Sequence, residues 1–262
     1  VFGGHNWNPV SWNPRTGMLY FSETRMPSVY AMDPGVGLRE RGRRYNTSLD
    51  MTAMLGNPQF MAEQANPQGS LIAWDVARSR IAWQVEQSLP INGGTLSTAG
   101  NLVFHGTTDG RLVAYRADNG TKLWETRTFG AVQGGPVSYA VGGRQYIAAG
   151  IGWGGGHSAA FADGGTRGGY RNASRIAVWT LDAIGQLPAP ERFKGVIAPP
   201  PVTGAEAGGG GGGGGYMTHC GYCHGAGSGG VPDLDYMSAR THAQFDNIVR
   251  GGQLSARGMP AF

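Results

Sequence analysis

At 262 residues the chain has room for one large domain or two smaller ones, and it is weakly charged, with 15% Asp, Glu, Lys and Arg and a formal net charge of +4. Hydrophobic residues make up 40%, and 47 glycines give a turn-rich composition of the kind seen in all-β chains. The 21 Lys and Arg are scattered except at Arg39, Arg41, Arg43 and Arg44, so no basic stripe suits a nucleic acid, and no apolar run approaches the ~20 residues that span a bilayer as a helix.

The chain opens on Val1-Phe2-Gly3-Gly4 with no Met and no legible signal sequence, and reads as part of a longer polypeptide. Its first ordered pattern is a repeat. Ala73-Trp74-Asp75 is followed by Trp83, and Ala114-Tyr115-Arg116 by Asn119-Gly120 and Trp124, the two copies offset by forty-one residues. A weaker copy runs from Val10 through Asn13-Pro14-Arg15-Thr16-Gly17 to Tyr20. Self-similarity near forty residues is the mark of propeller blades. A strand ends, an Asp/Asn/Gly turn reverses it, and the next strand carries an aromatic that packs between blades.

Further strands are predicted at Asn101–Gly106, Arg111–Arg116, Lys122–Thr128, Pro136–Val141 and Arg144–Ala149. Their turns, Thr107-Thr108-Asp109-Gly110, Asp118-Asn119-Gly120 and Gly142-Gly143, use residues that tolerate positive φ. After the last strand comes Gly150-Ile151-Gly152-Trp153-Gly154-Gly155-Gly156. No helix is predicted after it, so the run does not read as a phosphate cradle. Two readings stand: a loop over a flat aromatic ligand, with Trp153 available to stack, or a flexible blade-top loop. Pro188, Pro190, Pro199, Pro200 and Pro201, then the eight glycines Gly208 to Gly215, mark a linker. The sequence therefore divides into propeller blades at 1–187, a linker at 188–215 and a small domain at 216–262.

That last segment holds the only two cysteines, in Cys220-Gly221-Tyr222-Cys223-His224. C-x-x-C-H is the signature of covalent haem c attachment: two thiols add to the haem vinyl groups and the histidine ligates the iron. A zinc site would need a second ligand pair, and none follows. A thioredoxin-type pair would need a βαβ setting in place of these Gly-rich flanks. A helix is predicted from Ser238 to Arg250, with Phe245, Ile248 and Val249 on one face and Gly251-Gly252 as its stop. Thirty-five residues after His224 stands Met259, in a Gly-Met-Pro loop. This succession resembles class I cytochrome c domains, which makes Met259 the second axial ligand.

Gly3-Gly4-His5-Asn6-Trp7-Asn8-Pro9, the run from Asn92 to Gly100, the segment from Ala114 to Trp124 and Gly152-Trp153-Gly154-Gly155 resemble the pyrroloquinoline-quinone (PQQ)-dependent alcohol dehydrogenases. The proline linker and C-x-x-C-H resemble their quinohaemoprotein subgroup. The resemblance implies a mainly β fold: part of an eight-bladed propeller, followed by a small α-helical cytochrome c domain incomplete at its C-terminus. It places Asn6 and Trp7 beside the quinone ring and Ile151, Gly152 and Trp153 at the cofactor and substrate entrance. It makes Cys220 and Cys223 the haem attachments and His224 and Met259 the iron ligands. It implies the cofactors PQQ, haem c and Ca2+, an alcohol substrate, oxidation to an aldehyde or ketone, and a periplasmic setting. The onward acceptor would be a cytochrome, a blue copper protein or a membrane quinone pathway. The Asp base and the Glu/Asn/Asp calcium set are expected upstream, so no catalytic residue falls in this chain and the chain alone is expected to be inactive. Gly208 to Gly215 departs from the pattern, because glycine opposes the helix that normally leads into C-x-x-C-H. Two alternatives share some motifs: a haem c electron-transfer module on a non-catalytic propeller, and a PQQ dehydrogenase for sugars or polymer alcohols.

Overall fold

The computed structural model describes residues 4–25, 32, 57–58, 68–152, 170, 173–192, 220, 224, 234, 237–259 and 261. The chain divides into two compact units, Val1–Pro34, Leu49–Trp153 and Gly165–Arg192 in one, and Gly35–Ser48, Gly154–Gly164 and Phe193–Phe262 in the other.

The first unit is built from antiparallel sheets whose sequence neighbours are also spatial neighbours, as in propeller blades. Strands β1 (Ser11–Asn13), β2 (Met18–Arg25), β3 (Gln68–Asp75) and β4 (Arg80–Gln87) form the first sheet, in that order. The second sheet runs β5 (Thr95–Thr98), β6 (Leu102–Thr107), β7 (Arg111–Arg116) and β8 (Lys122–Arg127). The third holds β9 (Val137–Val141), β10 (Arg144–Ile151) and β11 (Arg175–Trp179), with β10 in the middle. The five strands predicted between residues 101 and 149 all form, within one or two residues of their expected ends. Gly142 and Gly143 have φ of 57° and 77°, the pair of left-handed residues a tight hairpin turn needs.

The forty-one-residue repeat is a repeat of register. Ala73 pairs with Trp83 and Ala114 with Trp124, and in both blades a bulge follows the alanine. Trp83 crosses from the first blade to the second. Its indole N–H donates to the Ala117 carbonyl at 3.0 Å. Its ring lies 5.7 Å from that of Tyr20, centroid to centroid. Only glycine fits at 120, since a Cβ there would fall 2.7 Å from the Trp83 ring and φ is +74°. Around this joint Tyr20, Ala73, Val103 and Ala117 form one buried cluster, and Leu71, Val113 and Tyr115 a second. Trp124 keeps the register but not the seat: it is 40% exposed.

The stretch from Val10 to Tyr20 occupies a different place from the other two copies. It is the β1–β2 hairpin, the first strand pair of its blade and not the last. Its Asn-Pro-Arg-Thr-Gly turn has the composition of the repeat, but Tyr20 enters the core from β2, with its hydroxyl on the Ala117 carbonyl at 2.9 Å.

In the second unit the predicted helix divides in two. Helix α1 (Ala239–Ala243) starts at Ser238, whose hydroxyl accepts from the Thr241 N–H at 3.1 Å. Gln244, with φ −101° and ψ 9°, interrupts it, and its N–H turns back to the Thr241 carbonyl three residues earlier. Helix α2 (Phe245–Val249) follows and ends before Gly251 and Gly252, the latter at φ +63°. Neither helix buries a residue.

Candidate functional site

The loops that lead into the three sheets meet at one end of the first unit. Asn6-Trp7-Asn8-Pro9 precedes β1, Asn92-Gly93-Gly94 precedes β5, and Gln133-Gly134-Gly135 precedes β9. The second and third of these are again forty-one residues apart. The Asn8 amide donates to the Asn92 carbonyl at 2.6 Å. The Thr95 N–H donates to the Pro9 carbonyl at 3.0 Å. A Cβ on Gly94 would fall 2.8 Å from both Pro9 Cδ and the Gly135 Cα, so the approach of the three loops requires glycine. On the far side of the β9 loop, the Gly152 N–H donates to the Ala131 carbonyl at 2.8 Å, and Gly152 has φ of +147°.

Asn8-Pro9 thus ties the Asn6-Trp7 segment to one flank of the β9 loop, and Ile151-Gly152 is tied to the other. Asn6 is exposed, and Trp7 is 58% exposed, a large apolar ring left open. Ile151 is buried, packed with Val132, Ala149 and Ala177. Trp153 lies outside the described residues.

Two residues that the motifs did not single out stand in the same region. Gln133 has a buried side-chain nitrogen with no hydrogen-bond partner among the described residues. His105, on β6, is fully buried. The Ser22 hydroxyl donates to the Gly93 carbonyl at 2.5 Å and lies 2.9 Å from His105 Nε2, so Nε2 carries the proton and Ser22 accepts it. His105 Nδ1 has no partner among the described residues. Burial, and secondarily the Arg111 guanidinium, lowers the His105 pKa from 6.5 to about 4, so the ring is neutral at pH 7. The alternation of β6 hid His105, which reads as one polar residue between apolar ones. For Gln133 a signal existed: the repeat puts it at the position of Asn92.

In the second unit, the His224 N–H donates to the Cys220 carbonyl at 2.9 Å, the bond of one helical turn. Burial raises the pKa of the Cys220 thiol. Cys223 lies outside the described residues, as do residues 193–215 of the linker with their glycine run. Met259 is half-buried; its N–H reaches the Leu254 carbonyl at 3.3 Å, just after Gly258 turns the chain at φ +91°. Phe245 is 44% exposed, and Ile248 and Val249 are half-buried. Among the described residues no group of three or more His, Cys, Asp or Glu side chains could hold a metal ion.

A family model for the PQQ-type glucose/ethanol/alcohol dehydrogenase β-propeller domain matches residues 1–147. The chain belongs to the PQQ dehydrogenase propeller family. The three antiparallel sheets, two of them with a shared register, are blades of that propeller. This family member is similar to quinohemoprotein alcohol dehydrogenase ADH IIB of Pseudomonas putida, with 38% identity over 266 residues, covering 100% of this chain and 38% of the relative. It is 37% identical over 283 residues to quinohemoprotein alcohol dehydrogenase of Comamonas testosteroni, covering 100% of this chain and 37% of that one. The chain thus spans well under half the length of these relatives. Among solved structures it matches quinohemoprotein alcohol dehydrogenase ADHIIG from Pseudomonas putida HK5, with a TM-score of 0.80 and 32% identity, over 100% of this chain and 39% of that chain. The crystal structure of the Comamonas testosteroni enzyme gives a TM-score of 0.70 at 35% identity, over 100% of this chain and 38% of that chain.

The residues present fit two of the three groups that this family membership and C-x-x-C-H imply. For a planar quinone, the open Trp7 ring and the glycine-dependent loops offer an apolar face and close backbone approach. For haem, Cys220 and His224 share one helical turn, and α2 offers a face with no buried residue. For calcium, the described residues offer no carboxylate set.

Proposed function

We propose that this chain supplies the last propeller blades and the haem-bearing segment of a periplasmic quinohaemoprotein dehydrogenase. The whole protein oxidises alcohols to aldehydes or ketones and passes the electrons within the polypeptide to haem c. The observation that carries this reading is the C-x-x-C-H turn in the same chain as blades of the PQQ family, since a haem attached beside a quinone site can take up its electrons. Residues 1–187 form the blades, 188–215 the linker and 216–262 the cytochrome c domain.

When bound, PQQ supplies a two-electron acceptor for the alcohol and haem c a one-electron acceptor next in line. The chain's own residues bind and shield. Trp7 and Trp153 would supply apolar rings to shield the quinone from water, Asn6 a neutral amide to hydrogen-bond it, and Ile151-Gly152 a backbone that lets it approach closely. Cys220 and Cys223 would form the thioether links. His224 and Met259 would hold the iron, and an imidazole and thioether ligand pair would give the haem a potential suited to accepting electrons.

The test is optical. The whole protein, produced with cytochrome maturation and supplied with PQQ and Ca2+, is mixed anaerobically with a primary alcohol. The expected result is reduction of the haem absorption band that depends on both alcohol and PQQ. Haem that stays oxidised in the PQQ-loaded protein would contradict the dehydrogenase reading and leave the electron-transfer module.

A further inference from the structure

Gln133 is the polar side chain of the blade-start loops that the fold leaves unused. Its side-chain nitrogen is buried and finds no partner among the described residues. A buried donor without an acceptor costs free energy, and native chains rarely keep one without a ligand, water or ion to meet it. Its repeat-mate shows what a structural amide at this position does. The Asn92 amide donates to the Leu89 carbonyl at 2.8 Å and accepts from the Thr108 N–H at 3.2 Å, which pins its own loop.

The position of Gln133 is the second argument. Two residues after it, Gly135 packs on Pro9, where a Cβ would lie 3.1 Å from the proline Cβ. Two residues before it, the Ala131 carbonyl takes the Gly152 N–H. Gln133 is therefore centred between the two segments assigned above to the quinone, Asn6-Trp7 and Ile151-Gly152. The ligand chemistry agrees. A planar tricarboxylate quinone presents acceptor oxygens around its rim, and a neutral amide donor meets one of them without adding charge to a low-dielectric site.

We propose that Gln133 is a cofactor-binding residue, whose side-chain amide donates to an oxygen of the bound quinone between Asn6-Trp7 and Ile151-Gly152. This rests on the PQQ reading of the same loops.

The experiment uses the whole protein stripped of PQQ. PQQ is titrated in with tryptophan fluorescence as the readout, alongside the haem spectrum and thermal unfolding. Gln133→Leu keeps the volume and removes the donor; it is expected to weaken PQQ binding by roughly tenfold. Gln133→Glu sets a carboxylate against the anionic ligand and is expected to weaken binding further, while Gln133→Asn recovers part of the loss. The haem spectrum should stay at wild-type values in all three, and the unfolding midpoint of the PQQ-free Gln133→Leu protein should not fall. Wild-type affinity in Gln133→Leu would overturn the proposal and leave the PQQ reading intact, as would a loss of stability with affinity unchanged. Failure of the wild-type protein itself to bind PQQ would overturn both. Should Gln133→Leu not fold, the contrast between Gln133→Glu and Gln133→Asn decides on the same criterion.

Discussion

The first two blades and the helical segment from 237 to 259 solve the problem of a core in opposite ways. The blades supply their own. Tyr20, Leu71, Val103, Leu112 and Val113 are buried completely, and Trp83 and Tyr20 from one blade both hydrogen-bond the Ala117 carbonyl of the next. The helices supply none: α1 and α2 bury no residue, and Phe245 keeps an apolar ring half in solvent. Helices of five residues are too short to persist on propensity, so such a segment needs something to pack on. A haem attached at Cys220 and Cys223 is the apolar surface that the account assigns to it. In the blades the sequence encodes packing by protein on protein; for the segment from 237 to 259 the proposed function supplies a cofactor to pack on.

The largest effect should come from removing the attachment. Cys220→Ser with Cys223→Ser is expected to abolish covalent haem, read as loss of haem from the denatured polypeptide, while the β content in circular dichroism stays unchanged. A simultaneous collapse of the blades would break the contrast.

The next effect belongs to the joint between blades. Trp83→Ala removes the bond to Ala117 and the packing on Tyr20, and should destabilise the blades by roughly 3–5 kcal/mol in urea unfolding. It should leave the haem spectrum alone.

A third prediction concerns pH. Folded His105 titrates near 4, and the same ring in the unfolded chain near 6.5. Between those values the unfolded chain binds more protons, so stability rises with pH in that window. His105 is without penalty above pH 6.5 and should cost roughly 3 kcal/mol by pH 4. His105→Asn should flatten that part of the unfolding-against-pH curve; an unchanged slope would show that other groups set it. The smallest effect is expected at the exposed pair of Arg25 and Glu86, 2.6 Å apart at the blade surface. Glu86→Gln should change stability by less than about 1 kcal/mol, and less still in high salt.

The blade repeat was legible because it is written in residue types with strong local physics. Asn-Gly and Gly-Gly turns have few alternatives, and Trp83 and Trp124 sit ten residues after alanines in copies forty-one apart. The place of Val10 to Tyr20 within its blade was not legible, because a turn of the same composition serves any strand pair. The break at Gln244 was hidden as well, since nothing in Thr241 to Phe245 forbids a continuous helix by propensity. Among site residues, Asn6, Trp7, Ile151 and Gly152 could be named because a motif surrounds them. His105 could not, because its interest comes from burial and a missing partner, which depend on residues far away in sequence; for Gln133 the repeat gave the position but not the missing partner.

Hydrogen exchange at the amides of residues 237–259 tests the central claim most directly, in the whole protein with haem attached and in the Cys220→Ser, Cys223→Ser variant. The account predicts that exchange in α1 and α2 accelerates strongly when haem is lost, while that of β2, β3, β6 and β7 does not change. Equal protection of the helices with and without haem would contradict it.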